Sequence, residues 1–533
     1  MIDSVRTWWR EHPRARWFYP LWIMLTVAVF LSAAAKDGSY FGGYICLLVL
    51  LAFFLRHNSP IYKVTLENCR WLKNIVTLLV ALVTLLACIA PMDMLPLWNG
   101  EKPDHRNQYE LMAENLLEGR IHFDYGDEEN LLELENPYDP EERSKARVFY
   151  HWDHAFYNGR YYMYFGVVPV ILTFLPYRVI TGESLTTFHA TQLYTALTVA
   201  GIFLLFDMLA KRYFKKLPYF AFLALCVAFS VMSVWYAIAE PALYCTAITA
   251  ALALEVWSLY FFFRAVYIES KETKQLIFAG IGALLGALAF GCRPTIALAN
   301  LLVIPMLGAF LRQRKITVKL LGKLLLTAMP YAVVAIGLMA YNHARFGDPF
   351  EFGQKYQLTV ADQSRYQVAL DGKSMLRVVN GTMENFFTRK NIQLYFPYLT
   401  PGGVFFNFPI LLLTAGMLRF SVLKNMHYAK VLPFVLGIFV TVLAITAMDI
   451  LWTPYLLERY RMDIYFLLGI ACFMAVGFWY NTCTLKGRRW LSACLTVMSV
   501  ITVITAFLLC VNRIGAYYPD EANEIGRNLN LLK

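Results

Sequence analysis

Apolar runs of about 20 residues recur from one end of this 533-residue chain to the other, and they limit what it can fold into. A run of that length crosses the roughly 30 Å hydrocarbon core of a bilayer as one α-helix. Barrel strands would instead alternate apolar and polar residues over about ten positions. About 13 to 14 such segments predict an all-α, polytopic transmembrane protein, with approximate bounds 17–35, 38–55, 74–97, 162–182, 188–210, 217–238, 241–267, 276–292, 294–312, 317–342, 404–420, 429–451, 461–482 and 489–512.

Composition supports a membrane protein and argues against two other classes. The chain is 58% hydrophobic and only 16% charged, whereas soluble domains carry about a quarter charged residues. The net charge of +11 is concentrated in short Lys/Arg segments between apolar runs, as the positive-inside bias requires, so no nucleic-acid partner is expected. The ten cysteines lie in or beside apolar runs without a C-x-x-C pair, which favours small buried side chains over metal or disulfide use.

The basic segments also predict an orientation. The N-terminus carries four arginines before the first apolar run, so 17–35 is interpreted as a retained signal anchor with a cytoplasmic N-terminus in the cell (plasma) membrane. Placing every basic segment on that side puts two long polar stretches, 98–160 and 343–403, outside the cell. These stretches cannot lie in lipid as irregular chain and are expected to carry short amphipathic helices.

One conflict remains in this arrangement. Only one crossing is allowed between the first polar stretch and the basic run 211–216, yet both 162–182 and 188–210 are apolar. Gly166, Pro169, Pro176 and Gly182 weaken 162–182 as a helix. Either one of the two segments is re-entrant or kinked, or the basic run 211–216 breaks the charge rule. We predict that 162–182 is the broken or non-crossing segment.

The first polar stretch contains a helical pattern. From Asn107 to Gly119, apolar residues recur at helical spacing while glutamates face elsewhere, and Gly119 suits the C-terminal stop. The apolar face comprises Tyr109, Met112, Ala113, Leu116 and Leu117. Such a helix is expected to lie on the outer membrane interface.

Acidic residues near the membrane ends of this stretch are candidates for a general base. An acid held at an interface can have a raised pKa, which suits proton abstraction. Asp104 and Asp153 are the leading candidates, followed by Glu110. The acids within 120–143 are expected to be solvated surface groups. The spacing of His151 and His154 suits a metal only if further ligands join them, and none is evident.

Four arginines fall on the predicted outer side, at helix ends or turns, namely Arg293, Arg345, Arg459 and Arg461, and Glu240 joins two spans there. A single arginine at a helix end is often only an anchor, but several on one face suggest phosphate binding by guanidinium forks. By contrast, the spans hold few ionisable residues, among them Asp207, Glu255 and Asp449. An ion or proton pathway normally needs more.

These residues resemble a known family. The stretch from Asp104 to Gly119, with Tyr109 inside its helix, is similar to the first periplasmic loop of the GT-C superfamily of membrane glycosyltransferases, which includes protein O-mannosyltransferases and lipid A aminoarabinose transferases. The segments 158–169 and 341–349 and the pairs Glu240-Pro241 and Arg293-Pro294 also look like segments of bacterial members. The resemblance implies a GT-C-like catalytic domain at 74–533. A two-helix membrane segment at 1–73 precedes the helix that would match the first one of the family.

The resemblance implies a function as well. An inverting glycosyltransferase would move a sugar from a polyprenyl-phosphate donor to a glycan, lipid or protein acceptor of the envelope. Asp104, Asp153 or Glu110 would deprotonate the acceptor hydroxyl, Arg459, Arg461, Arg293 or Arg345 would hold the leaving phosphate, and Glu240 would be a supporting acid. Relatives differ in their use of a divalent metal ion, so metal dependence stays open. The alternatives are a transporter or flippase of lipid-linked saccharide and a non-catalytic membrane scaffold.

Overall fold

The computed structural model of the protein describes residues 10, 13–35, 40–67, 70–94, 107–241, 243–312, 314–366, 371–388, 394–395, 398–453, 456–517 and 519–528. Its α-helices, numbered in chain order, are α1 Pro13–Ala35, α2 Phe41–Leu55, α3 Arg70–Ile89, α4 Gln108–Leu117, α5 Glu129–Leu132, α6 Pro140–Ala146, α7 Leu175–Thr181, α8 Thr187–Tyr213, α9 Tyr219–Ala239, α10 Leu243–Phe263, α11 Glu272–Phe290, α12 Pro294–Ala297, α13 Val303–Leu311, α14 Val318–Phe346, α15 Gly372–Phe387, α16 Val404–Asn407, α17 Phe420–Tyr428, α18 Leu432–Trp452, α19 Met462–Thr482, α20 Leu485–Tyr517 and α21 Pro519–Asn528.

Short elements extend or join these helices. Strands β1 (His154–Tyr157) and β2 (Arg160–Met163) form an antiparallel hairpin, and so do β3 (Leu394–Tyr395) and β4 (Tyr398–Leu399). The 3₁₀ helices are Pro60–Lys63, Ala90–Met94, Leu298–Leu302, Gln354–Tyr356, Gln363–Arg365, Pro409–Leu418 and Glu458–Arg461, and the π-helical turns are Val170–Phe174 and Arg264–Ile268.

The all-α, polytopic membrane fold is confirmed. Within the described residues, twelve helical segments are long and apolar enough to cross a membrane: α1 to α3, α8 to α11, α12 continued through α13, α14, α18, α19 with the turn before it, and α20. The protein is therefore a multi-pass membrane protein. Helices α9, α10 and α19 lie at the centre of the bundle, whereas α14 lies at its periphery with an apolar surface that suits lipid.

The two long polar stretches meet at one end of the bundle, called here the loop end. Ala155 of β1 pairs with Gln357 through an antiparallel bridge. The Asp153 N–H donates to the Leu358 carbonyl over 2.9 Å, and the Leu358 N–H donates to the His154 carbonyl over 2.9 Å. Backbone pairing thus joins stretches about 200 residues apart in the chain. Their extracytoplasmic location remains a prediction.

Several basic segments come together at the opposite end. Lys73 and Lys211 both approach Asp207, at 3.8 and 2.5 Å. Asn481, at the end of α19, donates its side-chain amide to the Tyr213 carbonyl at the end of α8 over 2.9 Å. Asp207 is therefore the partner of two lysines, which accounts for an acid near the end of an apolar helix.

The segment 162–182 does not form a membrane-length helix, as expected. The hairpin takes up its first residues, and the helical part, Val170–Thr181, is short. Both of its ends stay at the loop end. The Val168 N–H donates to the Gly291 carbonyl over 3.1 Å, and Ser184 donates to Glu114 of α4 over 3.1 Å. Because this segment does not cross, only α8 runs from the loop end toward the basic run 211–216, as the orientation predicted from charge requires.

The prediction of one membrane-length helix at 404–420 is wrong. The chain instead forms the four-residue α16 and then the ten-residue 3₁₀ helix Pro409–Leu418. Pro409 has no N–H to continue α16, which explains the break. The segment still runs alongside α19, since Phe408 contacts Tyr465 with ring centroids 5.0 Å apart. A 3₁₀ helix rises about 2 Å per residue, so ten residues cover roughly 20 Å.

The amphipathic helix of the first polar stretch is present as α4, with Asn107 as its N-cap. Most of its apolar face is buried against protein, contrary to the interfacial position expected from sequence, and of that face Leu117 is exposed. Tyr109 and Met112 have no exposed surface, and the Tyr109 ring stacks on Phe174 with centroids 5.2 Å apart. The short broken segment 170–181 supplies the apolar surface that lipid was expected to provide.

Candidate functional site

Asp153 sits on a turn whose backbone is fixed by two distant segments. Its φ of 57° lies in the left-handed region, which aspartate tolerates better than most residues. Its N–H is held by Leu358, and its carbonyl accepts a hydrogen bond of 2.8 Å from the side-chain amide of Gln108 in α4. A strained residue kept in place by such contacts is typical of functional sites.

The Asp153 carboxylate is buried but hydrogen-bonded. The Tyr244 hydroxyl donates to Oδ2 over 2.5 Å, and the Gln357 amide donates to Oδ1 over 2.8 Å. Burial raises the pKa of the Asp153 carboxyl, and the Tyr244 hydroxyl, the Arg459 charge and the Gln357 amide only partly offset that effect. A carboxylate with a raised pKa in a fixed position is suited to take up a proton.

Arg459 lies on the 3₁₀ turn that begins α19, close to Asp153. Its guanidinium stacks over the Tyr244 ring at 4.1 Å and near the Tyr460 ring at 5.5 Å. Within the part of the chain that the structure describes, no hydrogen bond or ion pair engages its N–H groups. These donors remain for a ligand, and a guanidinium fork suits phosphate or carboxylate oxygens.

Arg293 precedes α12 and is held by two buried acids. Its Nε donates to Asp463 Oδ2 over 2.7 Å, and its Nη2 lies 3.7 Å from Asp449 Oδ1. Thr295 also donates to Asp463 Oδ2, over 2.7 Å. Burial opposes the positive charge, but the two carboxylates outweigh it and raise the pKa of Arg293, so the guanidinium stays charged. Asp449 is thus part of a buried ionic cluster rather than an interfacial group.

These groups surround a cavity of about 620 Å³ at the loop end. Its walls include Asp153, Tyr244, Arg293, Gln357 and Arg459. Ligand sites typically occupy about 300–1,000 Å³ and combine apolar walls with a few placed polar groups. The structure thus brings together one predicted base and two predicted phosphate-binding arginines in a space that can hold a small ligand.

Arg345 lines a smaller adjoining cavity of about 150 Å³, which shares Arg293 as a wall. Two of its nitrogens are already used. Nη1 donates to the Met163 carbonyl over 2.8 Å, and Nη2 donates to Asn342 over 2.7 Å. Arg345 therefore anchors the β1–β2 hairpin to α14 and has less capacity for a ligand than Arg459.

Three other predicted site residues line neither cavity and have protein partners. Glu110 accepts a hydrogen bond of 2.8 Å from Asn107 at the start of α4. Glu240 pairs with Arg513 at 2.6 Å. The Arg461 side chain donates to Asn385 over 2.9 Å. Asp104 lies outside the described residues.

The His151 and His154 side chains do not converge as metal ligands. His154 is buried, with Nδ1 2.9 Å from the Trp152 carbonyl and Nε2 2.9 Å from the Tyr125 hydroxyl. Burial lowers the pKa of His154 to about 4, which keeps the imidazole neutral. His151 pairs with Asp127 at 3.2 Å. Across the described ranges, no three His, Cys, Asp or Glu side chains are grouped to hold a metal ion.

Sequence reasoning missed several residues of the site. Asp463, in the first turn of α19, could have been identified from the sequence. An ionisable residue inside an apolar span suggests that it has a buried partner. Tyr244, Gln357 and Gln363 gave no signal, since neutral polar residues at a span end or in a loop are common. They enter the site only through contacts across the fold.

Comparisons with known proteins add no identification. No family model matches the chain, no curated protein matches it, and no solved structure matches it. The resemblance to GT-C glycosyltransferases therefore stays a prediction, and functional inference depends on the cavity and its residues.

Proposed function

We propose that the protein is an inverting membrane glycosyltransferase that moves a sugar from a polyprenyl-phosphate donor to an acceptor hydroxyl on the extracytoplasmic side. One observation carries the proposal: the buried Asp153 carboxylate and the Arg459 guanidinium face the same cavity. A base and an anion-binding group that face one cavity are what displacement of a phosphate by a hydroxyl requires.

The step assigns a role to each group. The acceptor oxygen attacks the anomeric carbon while Asp153 takes its proton, and the bond between that carbon and the phosphate oxygen breaks. The electron pair of that bond leaves with the lipid phosphate. Arg459 donates to the phosphate oxygens and stabilises the charge that develops there. The products are the glycosylated acceptor, polyprenyl phosphate and a protonated Asp153.

Arg293 supplies a second positive charge on the phosphate side. Because Asp463 and Asp449 hold it, Arg293 is preorganised and little reorganisation accompanies the reaction. The two carboxylates also offset its charge, so Arg459 makes the larger contribution to phosphate binding.

The lipid chain of the donor has an apolar route to Arg293. The adjoining cavity is lined by Phe290 of α11, Leu338 of the peripheral helix α14, and Phe352. Phe290 and Phe352 are partly exposed, at 41% and 37%. An isoprenoid chain along α14 would reach Arg293 while remaining in apolar surroundings.

Purified protein in lipid nanodiscs tests the proposal. A panel of undecaprenyl-phosphate-linked hexoses and pentoses is supplied with cell-envelope extract, and released undecaprenyl phosphate is measured, because every such transfer yields this product. We expect release by the wild type and its loss in Asp153→Asn and Arg459→Ala. The exposed pair Asp124 and Arg120 provides matched controls, Asp124→Asn and Arg120→Ala, which should retain release.

Two results would contradict the proposal. One is the absence of release with every donor while the protein remains folded. The other is release that neither Asp153→Asn nor Arg459→Ala changes. The thermal unfolding temperature of each variant, measured in the same nanodiscs, separates loss of chemistry from loss of fold.

A further inference from the structure

Helix α15, in the second polar stretch, exposes a row of large apolar side chains. Met375, Leu376, Val379, Met383 and Phe387 are each between 53% and 61% exposed. Most follow one another at intervals of three or four residues, so all five lie along one side of the helix. This set is called here the outer stripe. Its exposure to water would be unfavourable, because burial of each such side chain contributes about 1.5–3 kcal/mol.

The opposite side of α15 packs on the end of a membrane-length helix. Gly381 lies two residues from both Val379 and Met383, which places it opposite the outer stripe. A Cβ atom at Gly381 would lie 2.9 Å from Ile450 Cδ1 of α18. Arg377, one turn earlier, donates to the Thr453 carbonyl, directly after α18. Helix α15 therefore lies against the last turn of this candidate span, at the loop end.

The side of α18 that α15 covers is the side that otherwise faces lipid. Leu436, Val440 and Leu443 are 47–66% exposed and lie four and three residues apart on α18. Ile450 follows Leu443 by seven residues, which is two turns, so it continues the same line. Unlike them, Ile450 is buried. Helix α15 thus lies between the loop end of a lipid-facing line and the surroundings of the bundle, and its outer stripe points away from α18.

A polar edge runs beside the outer stripe. Lys373, Asn380 and Glu384 are exposed and lie seven and four residues apart, so they share a second line on the helix. A helix with an apolar side next to a polar edge is suited to a membrane interface, where one side contacts acyl chains and the edge contacts headgroups and water. The contact with the lipid-facing line of α18 favours lipid over a second protein as the surface that covers the stripe.

We propose that α15 docks on the membrane surface, with its outer stripe inserted among the lipids of the leaflet at the loop end. Lys373, Asn380 and Glu384 remain in the headgroup layer. This docking is linked to the large cavity through Arg461, whose Nε donates to Asn385 of α15 over 2.9 Å. Arg461 shares its 3₁₀ turn with Arg459. Membrane contact of α15 therefore helps to hold the turn that carries Arg459.

Fluorescence quenching in the full-length protein tests the docking. A fluorescent amino acid is encoded at one position, and the protein is placed in nanodiscs that hold one copy each. The quencher is either a nitroxide on a lipid acyl chain or iodide in the water. The nitroxide should quench a label at Met383 at least about threefold more strongly than a label at Lys145 of α6, and iodide should show the reverse order. Val440, at 66% exposure on α18, is the lipid-facing reference, and Lys145, at 79%, is the water-facing one.

A charge on the outer stripe should release the helix. Met383→Asp should raise iodide quenching of a label at Leu376 to the level found at Lys145, because a carboxylate opposes insertion into apolar surroundings. Asn380→Asp, on the polar edge, is the matched control and should leave quenching at Leu376 unchanged. The labels sit at exposed positions, so the measurement does not depend on a variant that disturbs the core.

Two results would overturn the inference. One is iodide quenching at Met383 as strong as at Lys145, which would place the stripe in water. The other is protection of Met383 from both quenchers in single-copy nanodiscs, which would show that protein covers the stripe. The measurement needs no substrate, so its outcome is independent of the proposed transfer reaction.

Discussion

Replacement of Asp153 by asparagine is predicted to abolish sugar transfer while the fold persists. Asparagine has nearly the same shape and tolerates the left-handed backbone at φ 57°, whereas alanine there would add strain. The substitution therefore removes the base without disturbing the turn that carries it.

The expected effects of Asp153→Asn are a large loss of rate and a small change in stability. Loss of a general base typically lowers the rate by about 10²–10⁴-fold, which is about 3–5 kcal/mol in activation free energy. In Asp153→Asn the side-chain NH₂ group replaces one carboxylate oxygen, so one of the two donors, Tyr244 or Gln357, loses its acceptor. The loss of that hydrogen bond costs about 1–3 kcal/mol in stability. Relief of the buried charge offsets part of that cost, so the unfolding temperature should change little.

The assay is the rate of undecaprenyl phosphate release as a function of pH. Because the base must be deprotonated and burial raises the pKa of Asp153 above 3.8, the wild-type rate should fall as the pH decreases toward that raised pKa. Asp153→Asn should lose both the rate and this acid limb. Turnover by Asp153→Asn at the wild-type rate, with the loss found instead in Asp104→Asn, would refute the assignment of the base.

Three further substitutions probe the surroundings of the site. Burial lowers the pKa of His154 from 6.5 to about 4, so the folded protein holds this imidazole in its neutral form. The free energy of unfolding should therefore be highest above pH 6.5 and decrease by up to about 3 kcal/mol as the pH falls toward 4. In His154→Gln the unfolding temperature should depend less on pH over this range. Gly166→Ala would place a methyl group on the Gly291 carbonyl and should reduce the yield of folded protein, whereas Gly337→Ala, with open space around it, should not. Asp463→Asn should lower stability by about 1.5–3 kcal/mol in denaturant titrations, because Arg293 loses its charge-assisted hydrogen bond to Asp463 and keeps only the more distant Asp449. An unchanged midpoint would contradict that view.

Much of the architecture followed from hydrophobic length and charge. Runs of about 20 apolar residues must satisfy their backbone within a helix, so their existence is strongly specified by sequence. The positive charges at Lys73 and Lys211 predicted a shared end, and both lie against Asp207. The same reasoning required one of the segments 162–182 and 188–210 not to cross if the basic run 211–216 follows the charge rule, and the Gly and Pro residues of 162–182 favoured that segment.

The exceptions arose where local structure depends on a neighbour. At 404–420 apolar length alone predicted a long helix, but Pro409 and close packing of Gly416 on Trp479 give a 3₁₀ segment beside α19. Helix α4 has the periodicity of an interfacial helix, and only the position of Phe174 reveals that protein covers its apolar face.

The sequence indicated charged residues of the candidate site, but it did not indicate which way their side chains point. Arg459 and Arg461 are two residues apart, yet one lines the cavity and the other donates to Asn385. The exact residue at which the 3₁₀ turn begins determines which arginine faces the cavity, and sequence does not predict element boundaries to within one residue. Neutral residues such as Gln363 gain significance only because the fold places them in the wall of the cavity.

A cryo-electron microscopy structure of the purified protein with a non-hydrolysable undecaprenyl-phosphate sugar analogue tests the central claim most directly. The account predicts the phosphate within hydrogen-bonding distance of the Arg459 guanidinium, and the anomeric carbon turned toward Asp153. A phosphate bound away from Arg459, or Asp153 and Arg459 facing separate spaces, would contradict it.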